Sequence, residues 1–333
     1  MSSLLEVNQL KVYFRTPRGI VKAVDDVSFT MNAGERFGLI GESGSGKSTL
    51  AFAILRLIKP PGYLPSGELY LNGRDLSALS DEEMRQVRLA DIALVTQGAM
   101  NALNPVSRIC DQFADGLRSH GLQLSNSEQR EHLAALLRSV GLPPDVANMY
   151  PHQLSGGMKQ RACIALAISL RPKLIIADEP TSALDVVVQR QVMQTLRQVQ
   201  EELGAAVILI GHDMGLMAQF ATRVGVMYAG KLVEEGPVRQ IFHNPQHPYT
   251  QLLMASLPSL EEKEELEGTV GSPPAALERP AGCVFHPRCP HIMPRCKVEE
   301  PGDYWPNATQ RATCFLLDDT AIGAKAPRAE VSA

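Results

Sequence analysis

Apolar and polar positions alternate through LLEVNQLKVYF (residues 4–14), break at Thr16-Pro17-Arg18-Gly19, and alternate again through VKAVDDVSFTM (21–31). A period of two with β-branched residues predicts an antiparallel hairpin. ERFGLI (35–40) reads as a short apolar strand. A glycine-rich stretch follows it, and then STLAFAILRLI (48–58), a helix stopped by Pro60 and Pro61. SGELYLNGRDL adds a strand with an Asn72-Gly73 turn, and DIALVTQ a strand ending in Gln97. Between 105 and 150 the pattern becomes helical. Ser125 and Glu128 form a capping box, Leu133, Leu136, Leu137 and Val140 make one stripe, and Gly141 closes the helix. Ser155-Gly156-Gly157 opens a further helical run. LIIA (174–177) and AAVILI (205–210) are apolar throughout, as parallel strands covered on both faces are. An amphipathic helix ending at Gly204 lies between them. Strands alternating with helices predict an α/β fold. After 235 the pattern shifts to a short Pro-punctuated helical segment, an acidic run (EEKEELEG), a loop and a last cysteine-bearing block. Residues 318–333 read as a frayed end.

The chemistry concentrates where those apolar strands stop. Gly41 to Thr49, GESGSGKST, fits the phosphate-loop pattern G-x-x-x-x-G-K-[ST] at every fixed position. Its glycines let backbone N–H groups close round a polyphosphate, and the following helix adds its positive end. In that reading Ser43, Gly44, Ser45, Gly46 and Thr49 cradle phosphate, Lys47 reaches the β- and γ-phosphates, and Ser48 supplies a hydroxyl to Mg²⁺. Asp178 and Glu179 end the LIIA strand, where ligands bind in parallel sheets. Asp178 suits Mg²⁺ and Glu179 suits polarising an attacking water. Gln97 and His212 end two other strands and are candidates for a metal or water and for the γ-phosphate. Each taken singly is as readily a solvated or structural residue. Ser155-Gly156-Gly157 offers free N–H groups at a helix start, a second anion site or an ordinary cap. Phe14 and Tyr13 precede the hairpin turn, either as half-buried strand rings or as a platform for a purine.

Composition narrows the partners. The 333 residues make two or three folding units, with 44 % hydrophobic and 20 % charged residues. A net charge of −4 gives no reason to expect nucleic acid. ACIALAISL, the longest charge-free apolar run near the middle, is far shorter than the ~20 residues that span a bilayer. The N-terminus lacks the pattern of a signal peptide, so the expectation is a cytoplasmic chain that meets membrane only through a partner. Four of the six cysteines crowd the tail as C-x5-C-x6-C-x17-C: Cys283, Cys289, Cys296 and Cys314. In a reducing compartment such a cluster favours metal over disulfides, and four thiolates suit Zn²⁺ or a [4Fe–4S] cluster alike.

Taken together, these motifs resemble the ATP-binding subunits of ABC transporters. The phosphate loop, Gln97, LSGGMKQ (154–160), LIIADE (174–179), SALD (182–185) and His212 follow one another in the family's order. HPYTQLLMASLP and GCVFHPRCPHIMPRC look like the tail of the oligopeptide/dipeptide/nickel branch. The resemblance implies a P-loop NTPase (RecA-like) core with an antiparallel β subdomain over 1–97 and 159–235. It implies a helical subdomain over 98–158 that meets the permease, and a cysteine-bearing extension over 236–333. It also implies ATP with Mg²⁺ held by Ser48, Gln97 and Asp178, and Phe14, or failing it Tyr13, stacked on adenine. Glu179 would act on the water and His212 on the γ-phosphate. Ser155, Gly156 and Gly157 would close on the ATP of a second ATPase subunit, usually a different chain. Two permease subunits and, through them, a solute-binding protein would complete an importer at the cytoplasmic face of the membrane. The solute expected is a di- or oligopeptide, with nickel, a sugar or another small solute as alternatives. A soluble ABC ATPase acting on DNA or ribosomes usually carries long coiled coils or two fused halves, and this chain has neither. Gly98 and Ala99 follow Gln97 where many relatives have an Asp, a departure that bears on the permease contact. The branch tips the tail cysteines towards an iron–sulfur cluster.

Overall fold

The computed structural model describes residues 3–96, 98, 102–256, 274 and 277–318. The expected hairpin forms: β1 (Leu5–Thr16) pairs antiparallel with β2 (Gly19–Met31). β3 (Arg36–Ile40) leads through the phosphate loop into α1 (Lys47–Ile54). α1 stops short of Ile58, because Arg56 turns into the left-handed region at φ 50° and its guanidinium donates to the Leu76 carbonyl at 3.2 Å. β4 (Gly62–Tyr63), β5 (Glu68–Leu71) and β6 (Arg74–Asp75) return to the first hairpin, giving an antiparallel sheet in the order β2-β1-β5-β6 with β4 also on β1. The turn between β5 and β6 is Asn72-Gly73, as the sequence implies.

After α2 (Asp81–Val87) comes β7 (Ile92–Val95) and then the helical stretch of α3 (Ile109–Ser119), α4 (Asn126–Ser139) and α5 (Gly156–Ala167). The capping box at the start of α4 is present. The Glu128 N–H donates to Ser125 Oγ at 3.3 Å, and the Ser125 N–H donates to the Glu128 carboxylate at 2.7 Å. Leu133, Leu137 and Val140 are buried against the same core as the main sheet, with Leu136 packed beside them.

β8 (Leu174–Asp178), α6 (Val186–Leu203), β9 (Ala206–Ile210), α7 (Met214–Phe220), β10 (Arg223–Tyr228) and β11 (Lys231–Pro237) complete the sheet's core. Its central strands lie in the order β10-β3-β9-β8-β7, all parallel. Strand pleat explains why they carry no polar face. Ile175, Ala177, Val207 and Leu209 point to the helices, and Leu174, Ile176, Ala206, Ile208 and Ile210 point to α1 and the antiparallel sheet.

The C-terminal stretch is built into this sheet. α8 (Val238–His243) and α9 (Pro248–Ala255) follow β11, and β12 (Tyr304–Asn307) and β13 (Gln310–Ala312) add to its edge. β13 pairs antiparallel with β11, setting Glu235 opposite Arg311. The buried Arg311 donates to Glu235 and Asp303, each at 2.8 Å, and to the Ser28 carbonyl of β2 at 2.8 Å. Buried Glu234 accepts the N–H groups of Gln246 (2.8 Å) and His247 (2.9 Å) and the Gln310 amide (2.7 Å). The acidic run 261–268 and the stretch 319–333 lie outside the described residues.

Candidate nucleotide site

Adjacent parallel strands bring their C-terminal ends into one row, where such sheets hold ligands. β3 delivers the phosphate loop, β8 delivers Asp178 and Glu179, and β9 delivers His212. The loop's shape demands its glycines. Gly46 has φ 104°, and a Cβ there would stand 2.2 Å from the Ala23 carbonyl oxygen. At Gly41, φ 143°, a Cβ would stand 2.1 Å from that of Met227. The backbone therefore passes so close to β2 and β10 that a side chain would break the loop. Ser43 and Gly44 are exposed at its tip, and Ser45 is buried. Lys47 is buried too, and its Nζ donates to the carbonyls of Gly41 (2.7 Å) and Glu42 (2.9 Å) and to Ser45 Oγ (3.3 Å). Burial holds the Lys47 pKa below the usual lysine range, against the opposing pull of Glu179, Asp178 and Glu42. Thr49 lies in the first turn of α1.

Ser48 Oγ donates to Asp178 Oδ1 at 3.1 Å, so the hydroxyl and carboxylate proposed for Mg²⁺ already touch. Asp178 is only 1 % exposed. Burial, with the neighbouring Glu179 charge, raises its pKa, and Ser48 and Lys47 oppose the rise. A divalent cation would relieve that desolvated charge, and oxygen donors of this kind suit Mg²⁺. Glu179 sits just past β8 with φ 45°, and its N–H donates to the Ile210 carbonyl at 2.9 Å. A left-handed glutamate costs about 1–3 kcal/mol and marks a side chain aimed by its backbone. His212 Nδ1 lies 3.7 Å from Glu179 Oε1, with the imidazole 74 % exposed. Both residues line a cavity shared with Ser182 and Gln189. Gln97 lies outside the described residues.

Ser155 caps α5, its Oγ accepting the Met158 N–H at 3.3 Å, and the residue is exposed. Gly157 closes against α6, where a Cβ would stand 2.5 Å from Val188 Cγ1. Asp185 caps α6 through the N–H groups of Val187 (3.1 Å) and Val188 (3.0 Å), so signature and SALD segments meet at one helix start. Among the described residues no hydrogen bond joins Ser155–Gly157 to this chain's own phosphate loop. Phe14 packs on the core of the antiparallel sheet. Its neighbour Tyr13 donates its hydroxyl to Asp25 at 2.6 Å and stands edge-on to Tyr63.

The four tail cysteines converge, all lining one small cavity with Phe285, His286 and Met293. Burial raises the pKa values of Cys283 and Cys289, and pushes that of Cys314 up to about 11. Among the described residues, however, no three His, Cys, Asp or Glu side chains group closely enough to hold a metal ion. A single zinc needs its thiolates at about 2.3 Å from one point, and this arrangement does not supply that. The sequence reading also passed over Glu42, Tyr249 and Arg288, which meet at the phosphate loop. Glu42 is a variable position of the phosphate loop, and Tyr249 and Arg288 lie in the two tail segments, so the one local cue is an acidic residue inside an anion-binding loop.

Comparison with known proteins agrees with the geometry. Residues 24–182 match the family model for the ABC transporter, and residues 233–296 match that for the C-terminal region of oligopeptide/dipeptide transporters. The dipeptide transport ATP-binding protein DppD of Escherichia coli (strain K12) is 44 % identical over 322 residues, covering 95 % of this chain and 98 % of that protein. The oligopeptide transport ATP-binding protein OppD of Salmonella typhimurium is 43 % identical over 315 residues, 94 % of this chain and 93 % of that one. Among solved structures, the ATP-binding cassette MJ0796 in a dimeric post-hydrolysis state with ADP and Pi superposes with a TM-score of 0.63 at 29 % identity, covering 71 % of this chain and 99 % of that chain. The chain belongs to the ABC transporter ATP-binding proteins, in the oligopeptide/dipeptide branch.

Proposed function

We propose that this chain is the ATP-hydrolysing subunit of an importer of di- or oligopeptides. The observation that carries the reading is the row of Lys47, Ser48, Asp178, Glu179 and His212 along adjacent strand ends, with an exposed Ser155 that, among the described residues, makes no hydrogen bond to it. ATP and Mg²⁺ are the ligands such a row accommodates. The loop amides and Lys47 bind the phosphates, Ser48, Asp178 and Gln97 hold Mg²⁺, and Phe14 takes the adenine. Glu179 accepts hydrogen bonding from the attacking water and draws off its proton, and His212 meets the γ-phosphate. Mg²⁺ held by those residues would supply charge neutralisation for the phosphoryl transfer. Ser155, Gly156 and Gly157 serve the nucleotide of a second, related ATPase subunit. The helical subdomain, 98–158, passes closure to two permease subunits, which a solute-binding protein feeds. Among the described residues no helix is long and apolar enough to cross a membrane, in keeping with attachment at the cytoplasmic face through those partners. The peptide substrate is supported by what the relatives are named for transporting.

The composite site has a direct test. With the hydrolysis-slowed Glu179→Gln chain, ATP should join this subunit to its partner ATPase as a stable pair in light scattering. Ser155→Arg should prevent the pairing. Pairing that ignores either ATP or Ser155→Arg would contradict a shared site.

For the tail cysteines the finer reading rests on the branch resemblance alone: Cys283, Cys289, Cys296 and Cys314 line one cavity, but among the described residues they form no group that would hold a metal ion. An iron–sulfur cluster there is proposed from that resemblance. Bound there, it would cross-link a small block with little core of its own. Iron and sulfide in anaerobically purified protein test this, and zinc alone would rule it out.

A further inference from the structure

The C-terminal stretch does more than extend the sheet edge: it reaches the phosphate loop. Arg288 donates to both carboxylate oxygens of Glu42, Nη1 to Oε2 at 2.8 Å and Nη2 to Oε1 at 2.9 Å. The two side chains are 5 % and 20 % exposed, so solvent screens the pair weakly. Arg288 also donates to the Tyr228 hydroxyl at 3.3 Å. The Glu42 N–H donates to the Tyr249 hydroxyl at 2.9 Å, so the same loop residue is held by side chain and backbone together. These contacts are rigidly backed. Phe285 stands 5.2 Å from the Tyr228 ring and 5.5 Å from the Tyr249 ring, and those two tyrosines are 4.6 Å apart. The Arg288 N–H donates to the Phe285 carbonyl at 3.0 Å, which ties the arginine's backbone to that aromatic cluster.

The placement has an electrostatic consequence. Glu42 puts a negative charge inside a loop built to hold a polyphosphate. Left alone, that charge would repel the ligand and could turn into the anion nest. A bidentate arginine neutralises it and fixes its direction. Lys47 is coupled to the same point, because its Nζ rests on the Gly41 and Glu42 carbonyls. Displacing Glu42 therefore also displaces the resting place of the lysine that reaches the phosphates.

We propose that Arg288 and Tyr249 of the C-terminal extension are positioning residues for nucleotide binding, neutralising and holding Glu42 so that the phosphate loop is preset for ATP. The inference rests on the loop being an ATP site, as proposed above. It makes the extension part of the nucleotide site's support, so that loosening the tail weakens ATP binding.

The test is ATP affinity of the full-length chain, by calorimetry, across a charge cycle. Arg288→Ala should bind ATP roughly tenfold more weakly, the order expected of one uncompensated charge near bound phosphates at intermediate dielectric. Adding Glu42→Gln to Arg288→Ala should recover most of that loss, because the repelling charge is gone. Arg288→Lys should fall between wild type and Arg288→Ala. In the assembled complex, Arg288→Ala should raise KM for ATP and leave kcat nearly unchanged. Wild-type affinity in Arg288→Ala overturns the proposal, and so does a loss that Glu42→Gln fails to recover, since the arginine would then be merely structural. Should Arg288→Ala not fold, Arg288→Lys decides. It keeps the positive charge but loses the two-point hold on both Glu42 carboxylate oxygens, so ATP should bind more weakly than to wild type, and unchanged affinity overturns the proposal. Lys47→Ala separates the two levels. If wild type binds ATP and Lys47→Ala does not, a failed charge cycle removes only the role of the tail. If wild type binds no ATP, the reading of the loop itself fails.

Discussion

Replacing Glu179 with Gln should lower ATP turnover by the assembled complex on the order of a hundred- to ten-thousand-fold, the range of a lost general base. ATP binding should survive. Glutamine has nearly the shape of glutamate, and it can keep the left-handed backbone at φ 45° that aims the side chain. It still orients a water by hydrogen bonding but can no longer take its proton. The effect should fall on kcat with KM for ATP nearly unchanged, since the side chain contributes to the transition state rather than to ground-state binding. Steady-state phosphate release checks it. Turnover within a fewfold of wild type would remove Glu179 from the chemistry and leave its constrained backbone unexplained.

The second large effect is at Lys47. Lys47→Ala should weaken ATP binding on the order of a hundredfold, because hydrogen bonds to charged partners in a water-poor site are among the strongest available. The side chain is already confined to the loop, held by the Gly41 and Glu42 carbonyls and Ser45 Oγ. Its ammonium therefore loses little conformational freedom when it turns to a phosphate oxygen. The opposite signature from Glu179→Gln is expected, a loss read in binding before turnover. Titration of the purified variant with ATP measures it, and unchanged affinity would contradict a phosphate-binding role for the lysine.

Much of this was legible in the residues because the relevant physics is local. The hairpin 5–31, the capping box at Ser125 and Glu128, and the glycine loop each follow from a few consecutive residues. So do the strand ends at Asp178 and His212, because fully apolar runs mark central parallel strands and such strands bind ligands at their C-terminal ends. What stayed hidden depends on distant pairing. β12 and β13 are short, and only pairing makes them strands, β13 on β11 and β12 on β13. Arg288 and Tyr249 meet Glu42 from more than two hundred positions away, at separations of 246 and 207. No periodicity or spacing encodes such a meeting. α1 ended early for a related reason, since its arginine was claimed by carbonyls of the β6–α2 connection. The tail cysteines were legible as a cluster but not as a geometry. They share one cavity, yet no three of them stand round a single point.

If ATP bound at Gly41–Thr49 drives peptide import, the decisive measurement is uptake of a labelled dipeptide into proteoliposomes holding the whole complex, with Mg-ATP on the ATPase side and binding protein on the other. Accumulation should require ATP and should stop with Glu179→Gln. Accumulation indifferent to ATP or to Glu179→Gln would mean that nucleotide at this loop does not power import.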